Sequence, residues 1–306
     1  MKRNFAILAV SLMAMGAAQA DSLSVNGSVT VPGNTQAFGP TANTTYVSDG
    51  AFIFDGAGSS ASASAWGNDH GTYRASAYGD GTFSSMSHFH RTLEVVNSLG
   101  GDASFALNFF IYYGGLYIDN YAGVAGSGSV GYDLKLTSGM TSLYASSAVL
   151  DSSGVVSATN PLNNATLYGS GSSLSFSWDG TYVTLDLGVL AAGASKTIDF
   201  DLVSTAMGTF ALESYACGEW GYGEPVALAA VVDGYGGDGG YGGTCYRTAA
   251  VGGGLGDPAD ASGTLPPGGA NFQITGSLVN QVPDPAGLSL VGIGLAALGV
   301  VRRRRR

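Results

Sequence analysis

Ser173-Leu174-Ser175-Phe176-Ser177-Trp178-Asp179-Gly180-Thr181-Tyr182-Val183-Thr184-Leu185-Asp186-Leu187 alternates apolar and polar residues on both sides of an Asp-Gly pair. Leu174, Phe176 and Trp178 share one side of a pleat, and Val183, Leu185 and Leu187 share one side of the next, which is the period of half-buried strands. Asp179-Gly180 accepts positive φ, so the segment predicts a hairpin closed by a two-residue turn.

The same period recurs outward from this segment. Leu23, Val25, Val29 and Val31 alternate with small or polar residues, and Ile198, Phe200 and Leu202 alternate with Thr197, Asp199 and Asp201, predicting strands with one wet face. Thr92 to Val96, Ala103 to Ile118 and Asn271 to Val279 are further strands, the second rich in aromatics and broken at Gly114-Gly115. Gly126-Ser127-Gly128-Ser129 and Gly169-Ser170-Gly171-Ser172 read as linkers. Between the chain ends no long stretch carries helical periodicity. Short strands punctuated by glycine turns predict an all-β fold, a β-sandwich of jelly-roll or Ig-like type, as one body over residues 21–281. A composition of 45% apolar and 10% aromatic residues supports a packed core.

Near Cys217 the composition shifts to Gly, Tyr and Asp, and residues 217–260 read as an appendage to that body. Cys217 and Cys245 are the two cysteines of the chain. In an oxidising compartment they are expected to form a disulfide, and closing the 28-residue interval stabilises by roughly 3 to 4 kcal/mol under the loop-closure account. A redox pair would call for Cys-x-x-Cys spacing, which is absent.

Both ends of the chain read as addresses. Lys2 and Arg3, the apolar run Phe5 to Met15 and the small-residue site Ala18-Gln19-Ala20 describe a secretory signal peptide over residues 1–20, cleaved by signal peptidase to leave Asp21 first. At the other end, Val282-Pro283-Asp284-Pro285 is followed by an uncharged apolar run, Ala286 to Val301, and by Arg302, Arg303, Arg304, Arg305 and Arg306. The prolines exclude a continuous helix through 283–285, the apolar run is expected to form a single transmembrane helix, and the arginines are expected to hold the end in the cytoplasm. At 16 residues the run is short for a lasting span, which takes about 20.

That three-part order resembles the PEP-CTERM sorting signal of Gram-negative bacteria that make extracellular polysaccharide. The resemblance covers residues 282–306, with Asp284 where the family usually has Glu. It implies processing by exosortase, a membrane protease-transpeptidase, after transient residence in the inner membrane, and delivery to the cell surface or exopolysaccharide matrix. A simple tail anchor is the plainer alternative.

Charge narrows the partners. The chain holds 12 basic and 22 acidic residues. With Lys2, Arg3 and the five terminal arginines set aside, and Asp284 with them, five basic residues face 21 acids, a net charge of −16. Such a body is not expected to bind nucleic acid or an anionic membrane surface.

Site candidates are few. His88 and His90 share a strand face, with Asp69 and His70 nearby in sequence, and two such histidines ligate zinc or copper when a third ligand converges. Without one in view, a polar strand face is the reading taken, and no metal or other cofactor is expected. Asp233 and Asp238 offer oxygens for calcium but lack EF-hand spacing. Glu94, Asp119, Asp199, Asp201, Glu213, Glu219 and Glu224 supply carboxylates for glycoside chemistry, yet no spacing selects a pair. No Gly-x-Ser-x-Gly nucleophile occurs between a strand and a helix. Trp220, Tyr222, Tyr235 and Tyr241, in glycine-rich sequence with carboxylates nearby, are candidate carbohydrate contacts, because rings cover the C–H faces of sugars.

The reading is a secreted, non-catalytic surface or exopolysaccharide-matrix protein with a structural or adhesive role in biofilm or floc. A carbohydrate-binding module and a polysaccharide hydrolase or lyase are the alternatives. Non-reducing peptide mapping is expected to recover Cys217 joined to Cys245, and free thiols in the native protein would overturn that pairing.

Overall fold

The computed structural model describes residues 18–120, 123–216, 244–256 and 272–279. Nineteen strands and no helix occur among them. They are β1 (Ala18–Val31), β2 (Asn34–Asn43), β3 (Tyr46–Phe54), β4 (Ser60–Asn68), β5 (Tyr73–Asp80), β6 (Thr82–Val96) and β7 (Ala103–Ile111). Then follow β8 (Gly114–Asp119), β9 (Gly128–Ser138), β10 (Thr141–Asp151), β11 (Val156–Thr159), β12 (Thr166–Ser170) and β13 (Ser173–Trp178). The last are β14 (Thr181–Leu190), β15 (Ser195–Thr209), β16 (Glu213–Ala216), β17 (Thr244–Arg247), β18 (Ala250–Gly256) and β19 (Phe272–Leu278).

Two seven-stranded antiparallel sheets form a β-sandwich. One runs β11-β10-β9-β15-β6-β1-β2 and the other β12-β13-β8-β18-β5-β4-β3. Read from one edge, the orders match: β2 faces β3, β1 faces β4, β6 faces β5 and β15 faces β18. The chain crosses between the layers at β2–β3, β5–β6, β8–β9 and β11–β12. β15 and β18 enter last, each between strands from the two halves, and join them.

Alternation explains which face is inside. Leu23, Val25, Val29 and Val31 are buried, as are Ile198, Phe200 and Leu202, while Asp199 and Asp201 stand on the outer face. β1 passes through Ala18, Ala20 and Asp21, and its register against β6 shifts between Ala20 and Ser22.

β6 and β15 are 15 residues long, whereas the strands of the second large sheet have five to nine. A third sheet, β14-β7-β19, packs over part of the remaining length. Its Phe109 and Phe272 meet Phe200 of β15 edge-on at 6.4 and 5.3 Å. Tyr73 lies between the layers, fully buried, with its ring 4.7 Å from Phe200 and its hydroxyl donating to the Phe110 carbonyl at 3.0 Å. Burial holds the Tyr73 phenol protonated by raising its pKa, so this donor persists. Arg91 also turns inward. Its Nη2 donates to the Asp69 carbonyl at 2.9 Å, and its guanidinium lies 4.8 Å from the Phe272 ring centre.

Four sequence expectations change. Ser173 to Leu187 is not a hairpin: β13 pairs with β8 and β12, and β14 pairs with β7. The partner of the whole segment is 103–119, which bears the same alternation. Both chains bend together from one sheet to another, at Tyr112-Tyr113 and at Asp179-Gly180. Neither Asp179 nor Gly180 has the positive φ of a type I′ turn. Gly169-Ser170-Gly171-Ser172 is no linker, because Ser170 pairs with Ser173 and Gly171, at φ 67°, begins a two-residue hairpin loop; Gly128 and Ser129 likewise belong to β9. The appendage expected over 217–260 does not hold for Ala250–Gly256, which form β18, the central strand of the second sheet. β16 and β17 pair Ala216 with Thr244, so the chain leaves and rejoins the described fold at adjacent positions.

The break expected at Gly114-Gly115 falls at Tyr112-Tyr113, and Gly114 has a different task. A Cβ there would sit 2.6 Å from Trp178 Cζ2 and 2.7 Å from the Gly254 carbonyl oxygen. Trp178 is buried and donates from Nε1 to the Tyr112 carbonyl at 3.1 Å, so its ring cannot retreat freely. Gly114→Val is therefore expected to lower unfolding stability by about 1–3 kcal/mol in denaturant titrations. Gly115→Ala, whose added Cβ finds its nearest atom at 3.4 Å, is expected to stay within about 0.5 kcal/mol of the parent.

Candidate functional site

On β6, Phe89, Arg91 and Leu93 face the core, which leaves His88, His90 and Thr92 on the outer face. The β6–β15 register sets Asp201 opposite His90 and Asp199 opposite Thr92. β1 sets Asn26 opposite His88, and β9 sets Lys135 opposite Asp201. A four-strand polar patch results, with every backbone position fixed by a ladder.

Its centre is one carboxylate oxygen. Asp201 Oδ1 lies 2.9 Å from His88 Nε2 and 2.9 Å from His90 Nδ1. His90 Nε2 is 3.1 Å from Thr92 Oγ1, whose hydroxyl donates to Asp199 Oδ1 at 3.0 Å. Asn26 Nδ2 reaches His88 Nδ1 at 3.4 Å. The three central side chains are between 25% and 35% exposed, so solvent reaches them without bathing them.

The electrostatics follow from these contacts. The hydrogen bond to Asp201 raises the His90 pKa, with the charges of Asp201 and Asp199 adding and burial opposing. Hydrogen bonds from His88 and His90 hold the Asp201 carboxyl well below its ordinary range despite partial burial. A carboxylate kept ionised acts as an acceptor or a ligand and is a poor proton donor.

His88 Nε2, His90 Nδ1 and an Asp201 oxygen all lie within 4.8 Å of one another, the one such group of three among the described residues. The sequence pairs the two histidines without a third ligand, and the fold supplies Asp201. His70 does not join them, because its Nδ1 pairs with neighbouring Asp69 at 2.7 Å.

The remaining carboxylates separate. Asp119 accepts from Ser173 at 2.7 Å, and Glu213 accepts from Arg247 at 2.9 Å. Glu94 stands opposite Thr197 on the β6–β15 ladder. Asp80 and Asp119 lie on either side of Ala250, their backbones two strand spacings or about 10 Å apart. Burial raises the pKa of Asp80, while the Ser60 hydroxyl opposes that shift.

Trp220, Tyr222, Tyr235, Tyr241, Asp233, Asp238, Glu219 and Glu224 lie outside the described residues, as do Val282, Pro283, Asp284, Pro285 and Arg302 to Arg306. The Cys217–Cys245 pairing also lies outside them, although the backbone of Cys245 stands opposite Tyr215 in the β16–β17 ladder. Among the described residues no helix is long and apolar enough to cross a membrane. Compared with known protein families and with curated proteins, the chain matches none.

The Asp201 contacts predict a pH profile for the metal-free protein. A raised His90 pKa gives stability that is full below the ordinary imidazole value of 6.5 and fades as pH rises through the folded value. A lowered Asp201 pKa gives stability that is full above the ordinary carboxyl value of 3.8 and fades as pH falls. With chelator present, Asp201→Asn is expected to cost about 1 kcal/mol after discounting for partial exposure. Thermal melts should show that cost largest between about pH 4 and 6.5 and smaller at pH 9.

Proposed function

We propose that this chain is an exported, non-catalytic surface or extracellular-matrix protein, with a rigid β-sandwich serving a structural or adhesive role. The observation that carries the reading is an all-β body enclosed by two terminal addresses, the signal-peptide pattern of residues 1–20 and the PEP-CTERM-like pattern of residues 282–306. In this account signal peptidase releases Asp21, and an exosortase-type protease acts at Val282-Pro283-Asp284-Pro285 while 286–301 spans the inner membrane. The outer faces of the sandwich, rich in Ser, Thr, Gly and Asp, suit prolonged exposure to water.

Its winding is closer to a jelly roll than to an Ig domain. Fourteen strands in two facing sheets exceed the seven to nine of Ig domains, and successive segments cross repeatedly between layers.

A carbohydrate-binding role is the second reading. The β16–β17 ladder favours it, because it sets Ala216 opposite Thr244, the two described positions between which Trp220, Tyr222, Tyr235 and Tyr241 fall in sequence. Extracellular polysaccharide of the producing cell is the proposed partner.

Intact mass and terminal peptide mapping of protein from the extracellular fraction test the proposal. A chain starting at Asp21 and ending within Pro283 to Pro285 is the expected result. A chain retaining Arg306 in the membrane fraction would overturn it.

A further inference from the structure

His90 poses a problem in hydrogen-bond accounting. The Thr92 hydroxyl spends its one hydrogen on Asp199, so its oxygen can only accept from His90 Nε2–H. A neutral imidazole with its proton on Nε2 presents a lone pair at Nδ1. That lone pair faces the ionised Asp201 Oδ1 at 2.9 Å. Two acceptors at that distance require a shared proton or a cation between them.

His88 completes the arrangement from two residues away, with Nε2 directed at the same oxygen. Its Nδ1 lies 3.4 Å from the Asn26 side-chain amide, which accepts from Nδ1–H through its oxygen once turned over and so leaves Nε2 a lone pair, and His90 Nε2 is held by the Thr92–Asp199 relay. Outer contacts of this kind fix ring orientation in metal sites. Lys135, opposite Asp201, is engaged by Asp133 and does not neutralise the centre. Two imidazoles and one carboxylate suit zinc or copper(II) rather than calcium or magnesium.

We propose that His88 Nε2, His90 Nδ1 and Asp201 form a binding site for a divalent transition-metal ion on the outer face of the first sheet, with a water as fourth ligand. The metal takes the position otherwise held by the shared proton, and it clasps β6 to β15. Asp199, Thr92 and Asn26 are positioning residues. The site is independent of how the terminal addresses are processed.

Zinc titration of the full chain, purified without an oligohistidine tag and stripped with chelator, tests this by calorimetry at pH 7.5. One equivalent of zinc is expected to bind, and substitution of a ligand should weaken binding by at least about tenfold. His88→Gln is the informative variant, because its amide can still donate to Asp201 and keep the strand face intact. His90→Ala should behave alike, and His70→Ala should bind as the parent does. Cobalt(II) added in place of zinc is expected to give a visible absorption band in the parent and none in His88→Gln. Absence of binding at millimolar zinc, or equal binding by the parent and His88→Gln, would overturn the proposal and leave the cluster as a proton-held tie.

Discussion

The β6–β15 ladder is the constraint on which the rest of this fold depends. Its fifteen residue pairs run from Val96 opposite Ser195 to Thr82 opposite Thr209 without a shift in register. Side chains in a strand alternate with period two, so a slip of one residue would turn the inward set of the slipped strand to solvent, Phe89 and Leu93 for β6 or Ile198, Phe200 and Leu202 for β15. The same register decides the outer face, where it sets Asp201 against His90 and within reach of His88. Core and candidate site are thus two sides of one pairing.

The ladder's length sets the architecture around it. Strands of five to nine residues cannot cover partners of fifteen, and burying the exposed apolar length calls for a second layer, supplied in part by β14, β7 and β19. The transition between those layers explains the bend at Tyr112-Tyr113 and Asp179-Gly180. Tyr73, Phe89, Phe109, Phe200 and Phe272 fill the junction with ring contacts of 4.7 to 6.4 Å, where loss of one ring would leave a cavity rather than a surface dent.

Much of the fold was legible in the sequence because alternation is local. Leu23 to Val31 and Ile198 to Leu202 read correctly for that reason, and so did the all-β class. Pairing is not local. Leu174 to Leu187 has the pattern of a hairpin, but the same pattern suits two arms that each find partners in 103–119. Nothing within fifteen residues distinguishes the two. Gly114 read as a breaker because its contact with Trp178 cannot be seen from neighbours in sequence. At the site, His88-Phe89-His90 and Asp199-Phe200-Asp201 are both visible as polar pairs flanking an inward ring. Their convergence, across 111 to 113 residues, became readable only through the β6–β15 register. The inward turn of Arg91 was likewise hidden, since its carbonyl partners come from the β4–β5 turn.

Native-state hydrogen exchange resolved by residue tests the primacy of the central ladder most directly. Amides of β6 and β15 that bond to each other are expected to exchange only through global unfolding, with one common opening free energy shared by β9 and β1. Exchange of the β6–β15 amides by a lower-energy opening, while β9 and β10 remain protected, would contradict the account by showing that the two halves of the sandwich stand without the ladder between them.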